Sequence, residues 1–162
     1  MSITVEHATI NDLPNITRLF FETIQSVNAK DYPCDQIDDW SSWHKDTPKW
    51  AKRINDQYFL LGRIREEIVG FSSLAEDGYL DLMFVHKNYQ RRGVAKALLT
   101  EILAQAKKQR NRRVYADVSI TAKGFFEKYG FVVIKQQLKR SKEKELINFR
   151  MEIEISAPEI EQ

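Results

Sequence analysis

A single cysteine, Cys34, rules out an internal disulfide, so this chain must be held together by packing alone. Such cysteine usage fits a reducing cytoplasm. His44 lies ten residues from Cys34 with no local pattern linking the two, so Cys34 reads as an ordinary thiol rather than a nucleophile. Long hydrophobic runs are also missing: nothing approaches the ~20 apolar residues of a membrane helix. Met1 to Glu6 has neither the basic start nor the apolar stretch of a signal peptide, and a cytoplasmic protein free of membrane is expected. His7, His44 and His86 are too few and too scattered for a metal site, so no metal is expected. Charge of one sign is lacking as well. Twenty-five Lys and Arg against 23 Asp and Glu leave a formal net charge of +2. The basic stretches alternate with acidic residues and have no interleaved aromatic platform, which argues against nucleic acid as a partner.

What is present suits one globular unit. Three Trp, nine Phe and six Tyr among 43% apolar residues can build a core and line a pocket. At 162 residues, one domain over 1–155 with a frayed tail at 156–162 is expected. There is no repeat, linker or low-complexity segment.

Ile3 and Val5 suggest a short strand. A helix starts near Asn11 or Asp12, tolerates Pro14 in its first turn, and buries Leu13, Ile16, Leu19, Phe20, Ile24 and Val27. Residues 29–57 lack a clean period; one or two short helices are expected there, around Asp35–Trp43 and Pro48–Asp56. Residues 58–64 and 68–75 pair through Arg65-Glu66-Glu67, and Asp77-Gly78 turns into a strand at 79–85. A strand at 113–118, a helix from Thr121 to Gly130 and a strand at 131–138 follow. Ile147, Phe149, Met151, Ile153 and Ile155 alternate with polar residues, the clearest strand in the chain.

Gln90-Arg91-Arg92-Gly93-Val94-Ala95 joins the apolar strand at 79–85 to a helix whose buried face is Ala95, Leu98, Leu99, Ile102, Leu103 and Ala106. The first turn of a helix has unpaired N–H groups and the positive end of the macrodipole, and both attract an anion. Gly93 would let the backbone approach a phosphate, and Arg91, Arg92 and Lys96 would add charge. The same residues also fit an ordinary turn with solvated arginines. No Gly-Lys-Ser/Thr follows Gly93, so this is not an ATP-binding P-loop. The other basic clusters, Lys107 to Arg113 and Lys139 to Lys144, read as solvated structure.

About 25 residues later comes Ala122-Lys123-Gly124-Phe125-Phe126-Glu127-Lys128-Tyr129-Gly130-Phe131. In this order the two segments resemble the GCN5-related N-acetyltransferase (GNAT) superfamily. The phosphate-loop pattern Q/R-x-x-G-x-G/A is met by Gln90, Gly93 and Ala95. The later A-x-x-F/L-Y/F-x-x-x-G-F pattern is met by Ala122, Phe125, Phe126, Gly130 and Phe131. The close resemblance covers residues 79–135.

The resemblance implies an α/β fold in the order β-α-α-β-β-β-α-β-α-β-β, with a mixed, mostly antiparallel sheet splayed between strands 4 and 5. It places the pantetheine arm of coenzyme A in that gap, where an amide can pair with splayed backbone as an added strand would. Phe84 and Val85 then contact the arm through their backbone. Gln90, Arg91, Arg92, Gly93, Val94, Ala95 and Lys96 cradle the pyrophosphate, and Ser119 and Phe126 complete the cofactor site. The implied activity is direct acetyl transfer from acetyl-CoA to a primary amine of a small molecule or peptide, by a monomer or homodimer. The alternative keeps the fold without the reaction, as a coenzyme A-binding sensor or partner-binding module.

An alkyl amine with pKa near 10.4 is neutral in only roughly one molecule in a few thousand at pH 7, so a base is useful. Asp81, a carboxylate within an apolar strand, is the candidate base; a structural Asp bonded to backbone or to an Arg fits equally. Many GNAT enzymes protonate the departing sulfur with a Tyr at the position of Phe126, which has no proton to give. Tyr129, three residues on, is the candidate acid, and a core Tyr is the other reading. Asp31, Tyr32, Asp35, Asp38, Asp39, Trp40 and Trp43 are dense in carboxylates and aromatics, and the resemblance makes this region a wall of the acceptor site. Tyr32 and Trp40 are the expected acceptor contacts, through cation–π attraction to an ammonium. An amphipathic helix anchored by its tryptophans is the competing reading.

Overall fold

A computed structural model describes residues 2–156, so the expected frayed tail lies almost wholly outside the described residues. In chain order the elements are β1 (Ile3–His7), α1 (Leu13–Ser26), α2 (Cys34–Ser41), α3 (Thr47–Asp56), β2 (Tyr58–Ile64), β3 (Glu67–Leu74), β4 (Leu80–Val85), α4 (Val94–Lys108), β5 (Arg113–Ser119), α5 (Lys123–Lys128), β6 (Val132–Arg140) and β7 (Glu145–Glu154). Both short helices expected between α1 and β2 form. Asp46 separates them: its side chain accepts from the Lys49 N–H, and Pro48 occupies the first turn of α3, where a missing N–H costs nothing. Helix α5 is shorter than the expected span. Thr121 does not cap it but donates its hydroxyl to Asp31, while Ser119 Oγ accepts from the Ala122 N–H. No helix among the described residues is long and apolar enough to cross a membrane.

The strands form two antiparallel sheets, ordered β1-β2-β3-β4 and β5-β7-β6. Between β4 and β5 the only pairing among the described residues is one parallel bridge, Tyr79 with Tyr115. From there the two strands diverge, so the sheet is splayed at the expected place.

Each face of the first sheet carries helices, which is why β2 and β3 read as continuous apolar runs rather than alternating ones. Val94, Leu98, Leu99 and Ile102 of α4 pack on one face with Leu60, Val69 and Val85. On the other, Ile16, Phe20 and Ile24 of α1 and Trp50 and Ile54 of α3 pack with Phe59, Leu61, Phe71 and Leu82. Gly70 sets how closely α4 sits. A Cβ there would stand 2.8 Å from Val94 Cγ1 and 3.0 Å from the Phe84 carbonyl. The bare backbone of β3 therefore lets the first turn of α4 lie against the open end of β4.

Candidate functional site

The divergence of β4 and β5 leaves a cavity of about 1460 Å³ that runs through the sheet, from the start of α4 to the helices α1–α3. At the α4 end, the loop after β4 is tied down by Gln90, whose Nε2 donates to the Val85 carbonyl at 2.6 Å. Arg91 (φ 60°) and Gly93 (φ 86°) are both left-handed, and Gly93 caps α4. Such turns point successive N–H groups to one side, and the N–H groups of Val94, Ala95 and Lys96 have no partner within the helix. Nothing crowds the approach: a Cβ on Gly93 would meet only Ile3 Cδ1, at 4.0 Å.

Gln90, Arg91, Gly93, Val94, Ala95 and Lys96 all line the cavity, as do Phe84, Val85, Ser119 and Phe126. Arg92 departs from the expectation: it is not part of the wall, and its guanidinium lies over the Tyr89 ring, 5.3 Å from its centroid. Phe126 is 3% exposed, edge-on to Phe125 and Phe131, so it shapes the wall from within the core. Tyr129 also lines the cavity, with its ring tilted against Phe125.

At the other end, Leu74 pairs with Leu80 and Ser73 with Leu82, which leaves Asp81 as the extra residue of a β-bulge in β4. The bulge turns Asp81 toward α3. Its Oδ2 accepts from Arg53 Nε at 3.1 Å and from Gln57 Nε2 at 2.9 Å. Asp81 is therefore not an isolated carboxyl among apolar side chains but half of an ion pair facing the cavity. Asp81 is thus bonded to an Arg, as the structural reading expects, and it also lines the cavity.

The acidic, aromatic segment is used differently from the expectation. Asp39 accepts the backbone N–H groups of Lys142, Glu143 and Lys144, capping the β6–β7 turn; desolvation is the largest single influence and pushes its carboxyl up, but these bonds together outweigh it and hold the carboxyl below the usual range. Asp35 pairs with Lys144, and Asp38 accepts from Gln25. Of the segment's carboxylates only Asp31 lines the cavity, and it accepts from Thr121. Tyr32 and Trp40 do line it. Tyr32, 8% exposed, straps the helical layer to the second sheet: its hydroxyl accepts from the Ile120 N–H and donates to the Ile147 carbonyl. Burial pushes this phenol above its ordinary range. Trp40 packs on Tyr32 and Phe84.

Sequence reasoning missed Asp117. In β5 it alternates with Val114, Ala116 and Val118, so it points away from the α4 core, a signal that was there to be read. It accepts from Arg150 Nε at 2.9 Å, Gln137 Nε2 at 2.6 Å and Tyr79 OH at 3.1 Å. Burial raises its pKa, but the bonds from Arg150 and Gln137 and the charges of Arg150 and Lys139 outweigh this and hold it below the usual range. The Tyr79 phenol is raised far above its ordinary value by burial and by Asp117.

A group whose folded pKa is depressed stabilises above its unfolded pKa and loses that contribution as pH falls through the folded value. Asp117→Asn is therefore expected to lower stability at pH 7 by ~2 kcal/mol, the scale of a lost charge-assisted hydrogen bond. The gap to wild type should shrink below about pH 4. Urea unfolding at both pH values measures it; a gap independent of pH would show that the charge of Asp117 is immaterial.

The family model of the acetyltransferase (GNAT) domain matches residues 28–155. The uncharacterized N-acetyltransferase YafP of Escherichia coli strain K12 is 32% identical over 136 residues, 84% of this chain and 85% of that protein. Among solved structures, a GCN5-related N-acetyltransferase from Rhodopseudomonas palustris superposes with TM-score 0.92 at 25% identity, covering 95% of this chain and 96% of its own. The PaiA N-acetyltransferase from Thermoplasma acidophilum, solved in complex with coenzyme A, gives TM-score 0.78 at 23% identity, over 95% and 99% of the two chains.

Proposed function

This chain belongs to the GNAT acetyltransferase family, and from that premise we propose that it transfers an acetyl group from acetyl-CoA directly to a primary amine of a small molecule, in the cytoplasm. One observation carries the reading. A single cavity joins an anion cradle at the start of α4 to a pocket of paired carboxylates on the far side of the splay, so donor and acceptor can meet in one complex. The Thermoplasma protein of the same fold, which holds coenzyme A, supports the donor assignment.

In this reading the N–H groups of Val94 to Lys96, with Arg91, hold the pyrophosphate. The pantetheine arm lies along β4 at Phe84 and Val85. The amine nitrogen attacks the thioester carbonyl, the C–N bond forms and the C–S bond breaks. One amine proton passes to Asp81, directly or through a water, and the leaving thiolate takes a proton from Tyr129 or water. A thiol with pKa ~8.5 leaves tolerably as the thiolate, so the acid is an aid rather than a requirement.

Phe126, at the position of the family's usual Tyr, is the observation behind the rival sensor reading. Free-thiol release from acetyl-CoA over a panel of primary amines separates the two. Amine-dependent release is expected, with kcat lowered ~10–100-fold in Asp81→Asn and acetyl-CoA affinity retained. Tight acetyl-CoA binding with no release on any amine would establish the sensor instead.

A further inference from the structure

The acceptor end of the cavity holds more cations than its own carboxylates neutralise. Lys49 and Arg53 reach it from α3, and Lys139 and Arg140 from the end of β6. Asp81 is taken by Arg53, and Asp117 by Arg150 and Lys139, which lies 3.4 Å away. Among the described residues no carboxylate lies within 4 Å of the charged nitrogens of Lys49 or Arg140. Trp43 brings these cations to one mouth. Its Nε1 donates to Ser141 Oγ in the β6–β7 turn, while Lys49 Nζ stands 4.0 Å and Lys142 Nζ 4.8 Å from its ring centroid. Partial burial and the neighbouring Arg53 hold the Lys49 ammonium below its ordinary range, as befits a cation whose nearest neighbours include like charge.

A second observation comes from β7. Asn148 lines the cavity, and its Oδ1 is buried without a hydrogen-bond partner in the protein. A buried acceptor left unpaired is costly, and a donor brought by a ligand would satisfy it. Asn148 lies opposite Ser119, on the donor side of the gap. Two residues back along the same face, Leu146 lies opposite Lys139. One pleat repeat is ~7 Å. An acceptor for an amine N–H thus lies about one pleat repeat along the strands from the end of β6, where Arg140 follows Lys139.

Resting on the acetyltransferase reading above, we propose that the acceptor is a small amine that also carries a carboxylate, its amine presented at Asn148 and its acid group held by Lys49 and Arg140. The carboxylates of the acidic segment would repel such an acceptor, and all but Asp31 are turned out of the cavity.

The test compares amino acids and ω-amino acids of two to six carbons with their carboxamides, which keep the amine and lose the charge. Thiol release should favour the acids over the amides by ~10–100-fold in kcat/KM, the scale of a hydrogen bond to a charged group. Lys49→Met, and separately Arg140→Gln, should bring that ratio toward one, with acetyl-CoA affinity measured alongside as the check on folding. Equal or better use of the amides by wild type, or a ratio unmoved in both variants, overturns the proposal. Calorimetry of the N-acetylated acids and their amides on the coenzyme A-loaded protein reads the anion site without turnover. Acid-selective binding that Lys49→Met abolishes supports the site even if no amine is acetylated, an outcome that sinks only the enzyme reading. Equal binding of acid and amide overturns the anion site whatever the turnover.

Discussion

Gly93→Val is expected to weaken acetyl-CoA binding by at least 100-fold while the chain still folds. Gly93 caps α4 at φ 86°, a conformation that costs an L-residue about 1–2 kcal/mol, more for a β-branched one. That cost falls partly on stability, so the substitution is not silent in the fold. The larger loss falls on the cradle. The nearest protein atom to a Cβ at this position is 4.0 Å away, so the new side chain projects into open space at the N–H groups meant for the pyrophosphate. Gly93→Asn separates the two effects, because Asn tolerates the left-handed region. It should preserve the melting temperature better than Val and still lose most of the affinity by calorimetry. Wild-type affinity in Gly93→Val would place the phosphates elsewhere.

Tyr129→Phe is expected to lower turnover ~10²-fold with little change in stability or in acetyl-CoA affinity. Tyr129 ends α5, lines the cavity and packs its ring on Phe125, 4.9 Å between centroids. The substitution keeps the ring and deletes one hydroxyl. Phe126, buried in the core beside it, has no proton to offer, so Tyr129 supplies the phenol at this end of the helix. If turnover is unchanged on a competent amine, the thiolate is protonated by water and Tyr129 is a wall residue only.

The cavity wall at the start of α4 could be read from the chain because it is built from neighbours in sequence. Gln90, Arg91, Gly93, Val94, Ala95 and Lys96 follow one another, and a phosphate cradle is made of consecutive N–H groups on a glycine turn and a first helical turn. Only Arg92 fell outside, since the direction of a side chain in a left-handed turn is not a property of its identity.

The far end of the cavity belongs to the tertiary structure. Lys49, Arg53, Asp81, Asp117 and Lys139 come from α3, β4, β5 and β6, and no spacing in the chain links them. Asp81 meets Arg53 because a bulge rotates it onto the α3 face, and a one-residue change in strand register moves every side chain to the other face. The acidic run at Asp35 to Asp39 shows the same limit from the other side. Its composition suits a cation-binding wall, yet Asp39 caps a turn more than a hundred residues away and Asp35 pairs with Lys144.

By itself, then, the sequence determined the elements, their order and the glycine turn that opens α4. Hydrophobic periodicity, caps and glycine turns act over a few residues and leave their mark in the local pattern. Which carboxylates face the cavity, which of the described cations lack a carboxylate, and that Tyr32 straps two sheets rather than standing free were decided only by the fold. These are matters of distance between groups far apart in the chain, set by register, by the bulge in β4 and by the splay between β4 and β5.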